Sequence, residues 1–157
     1  MGSSPSVTRY HRPATVADAY FVAKYMREED TAEWWAATGR SPFALLLEIV
    51  RERSVETIVD PTGTPIGLCG VTLVPNSSTG YVWMCGTDRV KLYPRLFITE
   101  GRKWLSRWHQ ARPFLQNMVD ARNTLHVRWL ALMGFRFTGI VHPPASGLPF
   151  ITFERTV

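Results

Sequence analysis

Val119-Asp120-Ala121-Arg122-Asn123-Thr124-Leu125-His126-Val127-Arg128-Trp129-Leu130-Ala131-Leu132-Met133-Gly134-Phe135-Arg136-Phe137 is the stretch whose reading decides the fold. Val119-Asp120 reads as the end of a strand, Asn123 as a polar helix cap, and Leu125, Trp129, Leu132 and Met133 as one apolar helical face. Gly134 stops the helix, because a glycine adopts the left-handed conformation that closes helix ends, and a new strand starts at Phe135. The result is a strand-helix-strand unit with almost no spare residue.

The rest of the chain arranges itself around this unit. Upstream, Phe114 to Val119 supplies its first strand. Before that lies an amphipathic helix that starts with Pro94 in its first turn and carries a stripe at Phe97, Gly101, Trp104, Leu105 and Trp108. Val55 to Val59, Ile66 to Val74 and Tyr81 to Gly86 read as a three-stranded antiparallel meander. Its turns are Asp60-Pro61-Thr62-Gly63-Thr64-Pro65 and the polar run Pro75 to Gly80.

Nearer the N-terminus, a first strand ends near Arg12, and a helix follows to about Met26. Thr15 caps that helix, with Asp18 as its box partner. Asp30 is placed to cap a second helical stretch, which Gly39 and Pro42 break before Phe43 to Val50 resumes helical periodicity. Downstream come the strand Phe135 to Val141, a loop from His142 to Pro149 and a last strand Phe150 to Arg155. The order is β-α-α-β-β-β-α-β-α-β-β.

That order, with the Asn123-to-Gly134 helix and the opening Arg12-Pro13-Ala14-Thr15, resembles the GCN5-related N-acetyltransferase (GNAT) superfamily over nearly the whole chain. Within it, the wording Val119-Asp120-x-x-Asn123-x-x-His126-x-x-Trp129-Leu130 looks most like the short acetyltransferase-like proteins of tailed phages, including those related to internal virion proteins. The resemblance implies an α/β (α+β) fold: a mixed, mostly antiparallel sheet of about seven strands with helices on both faces, and a gap between Gly80–Thr87 and Phe114–Asp120.

Composition agrees with a globular chain. One domain spanning 1–157 is expected at this length, enough for one ordinary core. Hydrophobic residues make up 45% and aromatics 12%, while no run approaches the roughly 18 apolar residues of a membrane span. The N-terminus lacks the basic-then-apolar order of a secretory signal, so the expected place is the cytoplasm where the chain is made, or the virion if a phage encodes it. Cys69 and Cys85 lack ligand-like spacing and are expected as reduced, half-buried thiols on neighbouring strands, with no metal site.

Charge is uneven. Residues 1–60 carry seven Arg/Lys against nine Asp/Glu, and residues 61–157 carry eleven against four, within a formal net charge of +5. The split favours an anion or a phosphate-bearing cofactor beside the second half and a cationic acceptor beside the first, unless both are simply solvated surfaces. The acidic cluster Glu28, Glu29, Asp30 and Glu33 has the same two readings. Adjacent Trp34 and Trp35 cannot both point inward, so one is expected in the core and one partly exposed.

The resemblance also implies a chemistry. In the superfamily an acyl-pantetheine arm lies in the gap like a substitute strand, and the pyrophosphate of acetyl-CoA sits on free amides where the helix after the fourth strand begins. A fourth-strand amide polarises the thioester carbonyl. Mapped onto this chain, Met84, Cys85, Arg89, Lys91, Arg95 and Asn123 are the cofactor-binding positions.

Two departures stand beside them. The glycine-rich pyrophosphate loop is absent, and Pro94 removes an amide donor, which leaves Arg89, Lys91 and Arg95 either as substitute phosphate charges or as solvated residues. The tyrosine that many members place seven residues after the asparagine to protonate the leaving thiolate is Leu130 here.

Candidate bases are Glu56, Asp120 and His126, with Asp60 beside the second strand. Asp120 also reads as a turn residue, and His126 as a locally bonded helix-start histidine. Two classes of function follow. One is an acetyl-CoA-dependent N-acyltransferase acting on an amine of a small molecule or protein. The other is a catalytically degenerate relative that binds a host or virion protein. A nucleic-acid binder ranks below both, because Trp104, Trp108 and Trp129 occupy core-stripe positions.

Overall fold

The computed structural model describes residues 9–51 and 54–157. Its elements are β1 (His11–Pro13), α1 (Val16–Lys24), α2 (Glu28–Thr38), α3 (Pro42–Ile49), β2 (Val55–Val59), β3 (Pro65–Leu73), β4 (Thr79–Gly86), a 3-10 turn (Asp88–Leu92), α4 (Pro94–Ala111), β5 (Phe114–Asp120), α5 (Thr124–Leu132), β6 (Arg136–Val141) and β7 (Phe150–Thr156). Seven strands form one sheet in the order β1-β2-β3-β4-β5-β7-β6. Every neighbouring pair is antiparallel except β4 and β5.

Those two central strands pair in parallel only at Thr79–Tyr81 with Phe114–Gln116. Beyond Tyr81 and Gln116 they splay, so the gap that the resemblance implies is present but begins after Gly80 and Phe114, which are still paired strand residues. On one face of the sheet, Val71, Val82, Met84, Phe97, Trp104, Leu105, Leu115, Trp129 and Leu130 bury against α4 and α5. On the other, Ala19, Val22, Leu46, Val55, Leu68 and Cys85 bury against α1 and α3. The splay sits where these two cores approach each other through the sheet.

Local chemistry explains the elements. Thr15 and Asp18 form the expected capping box on α1, and the buried Asp18 carboxylate also receives the Arg12 guanidinium and the Thr57 hydroxyl. Burial alone would push the Asp18 carboxyl up, but these donors together hold it below its ordinary value. Gly134, at φ 87°, ends α5 with the Phe135 amide donating to the Leu130 carbonyl at 3.0 Å.

Some sequence readings are corrected and others are borne out. Helix α2 begins at Glu28 with Arg27 as its cap residue, so Asp30 is not the cap. The α2–α3 region is two helices. Leu132 is 52% exposed, whereas His126, Trp129, Leu130 and Met133 face inward, so the buried face of α5 is rotated toward His126. Both cysteines are fully buried and free, on opposite sides of the sheet, and burial pushes both thiols well up. Trp35 is 48% exposed, while Trp34 packs edge-on against Trp83.

Gly70 faces Trp83 across the β3–β4 ladder, and a Cβ there would lie 2.5 Å from Trp83 Cε2 and 2.7 Å from Nε1. The indole occupies the space a side chain would take. Gly70→Ala is therefore expected to destabilise the protein by about 1–3 kcal/mol in urea denaturation. In a Trp83→Leu background the same change should cost clearly less, and equal costs in both backgrounds would contradict the packing account.

Candidate active site

The splay creates a demand for hydrogen bonds. The Thr87 amide donates to the Ile66 carbonyl, so the alternation of an antiparallel ladder turns the amide and carbonyl of Gly86 away from β3 and toward the gap. On the other side, the Ala121 amide donates to the Pro149 carbonyl, which likewise turns the Asp120 amide into the gap. Past the last β4–β5 pair these groups have no strand partner, and buried backbone groups must find one.

Side chains supply it at both ends. Where the strands begin to part, Asn117 bridges them: its Nδ2 donates to the Val82 carbonyl at 2.8 Å, and its Oδ1 accepts from the Met118 amide at 2.8 Å. At the far end two carboxylates of α2 reach in. Asp30 Oδ2 accepts from the Gly86 amide at 2.9 Å, and Glu33 Oε1 accepts from the Asp120 amide at 2.7 Å. The spacing from Asp30 to Glu33 sets both on one helical face, together with Ala36. The Gly86 carbonyl accepts from the Arg27 amide at 2.8 Å.

The two carboxylates anchor a buried polar cluster. Arg27, 2% exposed, donates to Asp30 Oδ1 at 2.9 Å and stacks 5.6 Å from the Trp129 ring. Asn123 Nδ2 donates to Asp30 Oδ1 at 2.8 Å and to Glu33 Oε2 at 3.1 Å. His126 Nδ1 donates to the same Glu33 oxygen at 3.1 Å. Asn123 therefore does not cap α5 with its side chain, as its position suggests; it is turned inward, onto α2.

Desolvation pushes the His126 imidazolium down and is the largest single influence. Glu33, as charge and hydrogen-bond acceptor, and the Asp30 charge outweigh it, so the ring is held above its ordinary pKa. Burial pushes the Asp30 carboxyl up, against the charges of His126 and Arg27. Asp30, Glu33 and His126 also bring three metal-ligand atoms within 4.8 Å of one another. Their carboxylate oxygens are already occupied by protein donors, however, and Arg27 supplies the cluster's cation.

Between the Asn117 bridge and this cluster lies a cavity of about 250 Å³ that passes through the sheet. Trp34, Leu45 and Trp83 line one side, Trp104, Leu130 and Met133 the other, and Glu33 and His126 contribute its ionisable groups. The described hydrogen bond of His126 goes through Nδ1, so Nε2 is the nitrogen left for chemistry. Met84 also lines the cavity, and by strand alternation its amide and carbonyl face the gap beyond the last paired residue.

The other sequence candidates fall elsewhere. Cys85 turns its backbone to β3 and its thiol into the α1–α3 core, so it contributes nothing to the gap. Glu56 on β2 is paired with Arg107 of α4, away from the cavity. Asp120 sits at the gap's end, but Arg122 grips its carboxylate through both backbone and side chain; burial would raise this carboxyl, yet Arg122 holds it below its ordinary value, as suits a turn residue. Arg89 is held by Asp60, and Lys91 faces Asp88 at 3.6 Å. Arg95 is exposed in the first turn of α4, whose N-terminus has no side-chain cap.

Arg27 and Asn117 escape a reading of the sequence as site residues, and Asp30 and Glu33 enter it only within an acidic cluster suited to a cationic acceptor or to solvent. The one available signal is the i, i+3, i+6 stripe of Asp30, Glu33 and Ala36, which looks like a solvated acidic turn until a buried partner is known. Glu28 and Glu29 of the same run do remain exposed.

No protein-family model matches the chain, and the comparison with curated proteins gives no match. Solved structures do match it. A GNAT-family acetyltransferase from Bacillus anthracis superposes with a TM-score of 0.72 at 9% identity, covering 93% of each chain. A ribosomal-protein-alanine N-acetyltransferase from Brucella melitensis gives 0.69 at 13% identity, over 94% of this chain and 99% of that one. The AAC(6')-Ib enzyme, solved with ribostamycin and coenzyme A, gives 0.69 at 17% identity, over 93% and 92%. The fold of this chain is thus the GNAT fold. No helix among the described residues is long and apolar enough to cross a membrane.

The His126 environment generates a pH dependence. Because the folded protein holds this ring above the ordinary value of 6.5, its stabilising contribution is fully present below that pH and is lost as pH rises through the folded pKa. His109, which burial holds below its ordinary value, acts in the opposite sense as pH falls. The stability difference between wild type and His126→Gln isolates the former. In denaturant midpoints recorded from pH 5.5 to 9, that difference should shrink as pH rises above about 6.5. A constant difference would contradict the Glu33–His126 pairing.

Proposed function

We propose that the protein is an N-acyltransferase of the GNAT kind, which takes the acetyl group of acetyl-CoA to an amine of a small molecule or protein. The observation that supports this best is the cavity in the β4–β5 splay, with His126 at its wall oriented by Glu33. Bound acetyl-CoA would supply an activated acyl carbonyl. Met84 would hold it through a gap-facing amide, while Arg95 and the uncapped start of α4 would receive its anionic end. His126 Nε2 would take the proton from the incoming amine, with Glu33 fixing the tautomer. Leu130 is 2% exposed and cannot donate a proton, so the departing thiolate would be protonated by solvent.

A second reading draws on a different observation. The Gly86 amide and carbonyl and the Asp120 amide are already satisfied by the chain's own Asp30, Arg27 and Glu33, and Arg89 and Lys91 face carboxylates. A protein with this arrangement could keep the fold and act by binding a host or virion protein, as the phage-type resemblance implies.

Calorimetry with acetyl-CoA and a CoA-release assay over a mixture of amines separate the two. The transferase reading expects binding, turnover, and a loss of about 10²–10⁴-fold in kcat/KM on His126→Ala with acetyl-CoA affinity little changed. Neither heat nor thermal shift with millimolar acetyl-CoA would overturn it in favour of the second reading.

A further inference from the structure

Trp104 of the cavity wall carries a buried side-chain donor that the fold leaves unused. Trp104 is 3% exposed and lines the cavity, yet its Nε1–H has no hydrogen-bond partner among the described residues. A buried donor left unpaired costs about 1–3 kcal/mol, so it marks a place where an acceptor is missing. Around it the lining is overwhelmingly aliphatic and aromatic: Leu45, Ile49, Trp83, Met133 and Phe153 among others.

Size narrows the occupant. An apolar cavity of about 150 Å³ holds benzene, with six non-hydrogen atoms, which is roughly 25 Å³ per atom. The present cavity, about 250 Å³, is then matched by a ligand of roughly ten such atoms. That is too large for an acetyl group to fill and suits an unbranched chain of about six to eight carbons with one carbonyl.

We propose that this cavity is a binding site for a medium-length acyl or alkanone chain, whose carbonyl oxygen accepts from Trp104 Nε1–H while the chain lies among the tryptophan, leucine and methionine side chains. If the transferase reading holds, the occupant is the transferred acyl group, its carbonyl oxygen accepting from both the Met84 amide and Trp104 Nε1–H, and a six- to eight-carbon acyl-CoA is a donor beside acetyl-CoA. That extension rests on the transferase reading. Binding of the chain itself does not, because it needs neither the nucleotide nor turnover.

The test uses neutral methyl ketones on the full-length protein, followed through the indole Nε1–H signals of ¹⁵N-labelled protein, with the Trp104 signal assigned from Trp104→Phe. On titration with 2-octanone the Trp104 signal should move downfield and saturate. Affinity should rise from acetone through 2-hexanone to 2-octanone, then gain little at 2-dodecanone, whose further carbons exceed the cavity. Trp104→Phe should weaken 2-octanone binding about tenfold, the scale of one neutral hydrogen bond.

The wild-type titration stands alone if the variant fails to fold. No saturable shift at millimolar ketone would overturn the proposal. So would an affinity independent of chain length, or a Trp104 signal already paired with a resident water and unmoved by the ketone. An acetyl-CoA result of either sign leaves this experiment unaffected, so the two ideas fail separately.

Discussion

The structure depends on two carboxylates of one helix. Asp30 and Glu33, three residues apart on α2, each accept the amide of a strand's last residue, Gly86 of β4 and Asp120 of β5. Strands that part lose their ladder partners, and buried backbone groups cannot go unpaired. The splay and the two carboxylates therefore imply each other. Carboxylates so deeply buried need compensation, which Arg27, Asn123 and His126 provide; removing a single partner from such a cluster typically costs about 3–5 kcal/mol.

Glu33 serves two roles at once. One oxygen holds the end of β5, and the other receives Asn123 and His126 from α5. The groups that keep the central strands apart are thus the groups that orient His126, so fold stability and the proposed chemistry meet at the same atoms. The coupling also explains why α5 presents His126 inward and leaves Leu132 in solvent: pairing with Glu33 outweighs the burial of a leucine at that helix face.

What the sequence made legible was everything carried by local rules. The glycine stop at Gly134, the capping box of Thr15 and Asp18 and the succession of strands in the meander follow from turn chemistry and periodicity, while the gap between β4 and β5 came with the family resemblance. What it hid was everything requiring a partner distant along the chain. Asp30 and Glu33 look like solvated helix-start acids because burial of charge opposes hydrophobic patterning, and it takes Asn123 and His126, some ninety residues on, together with Arg27 to make it tolerable. Asn117 sits mid-strand with no pattern to mark it as the bridge at the fork. Arg89 reads as a phosphate ligand or a solvated residue until Asp60, two strands and their turns earlier, is seen to hold it.

The account is tested most directly by native-state hydrogen exchange at the amides of Gly86 and Asp120. Both lie beyond the paired part of the β4–β5 ladder, and neither has a strand partner on the gap side. If buried Asp30 and Glu33 hold them, both amides exchange only through global unfolding and report the same free energy as the centre of β3. Exchange at the rate of a frayed strand end at either residue would mean that the carboxylates do not hold the splay, and would contradict the central claim.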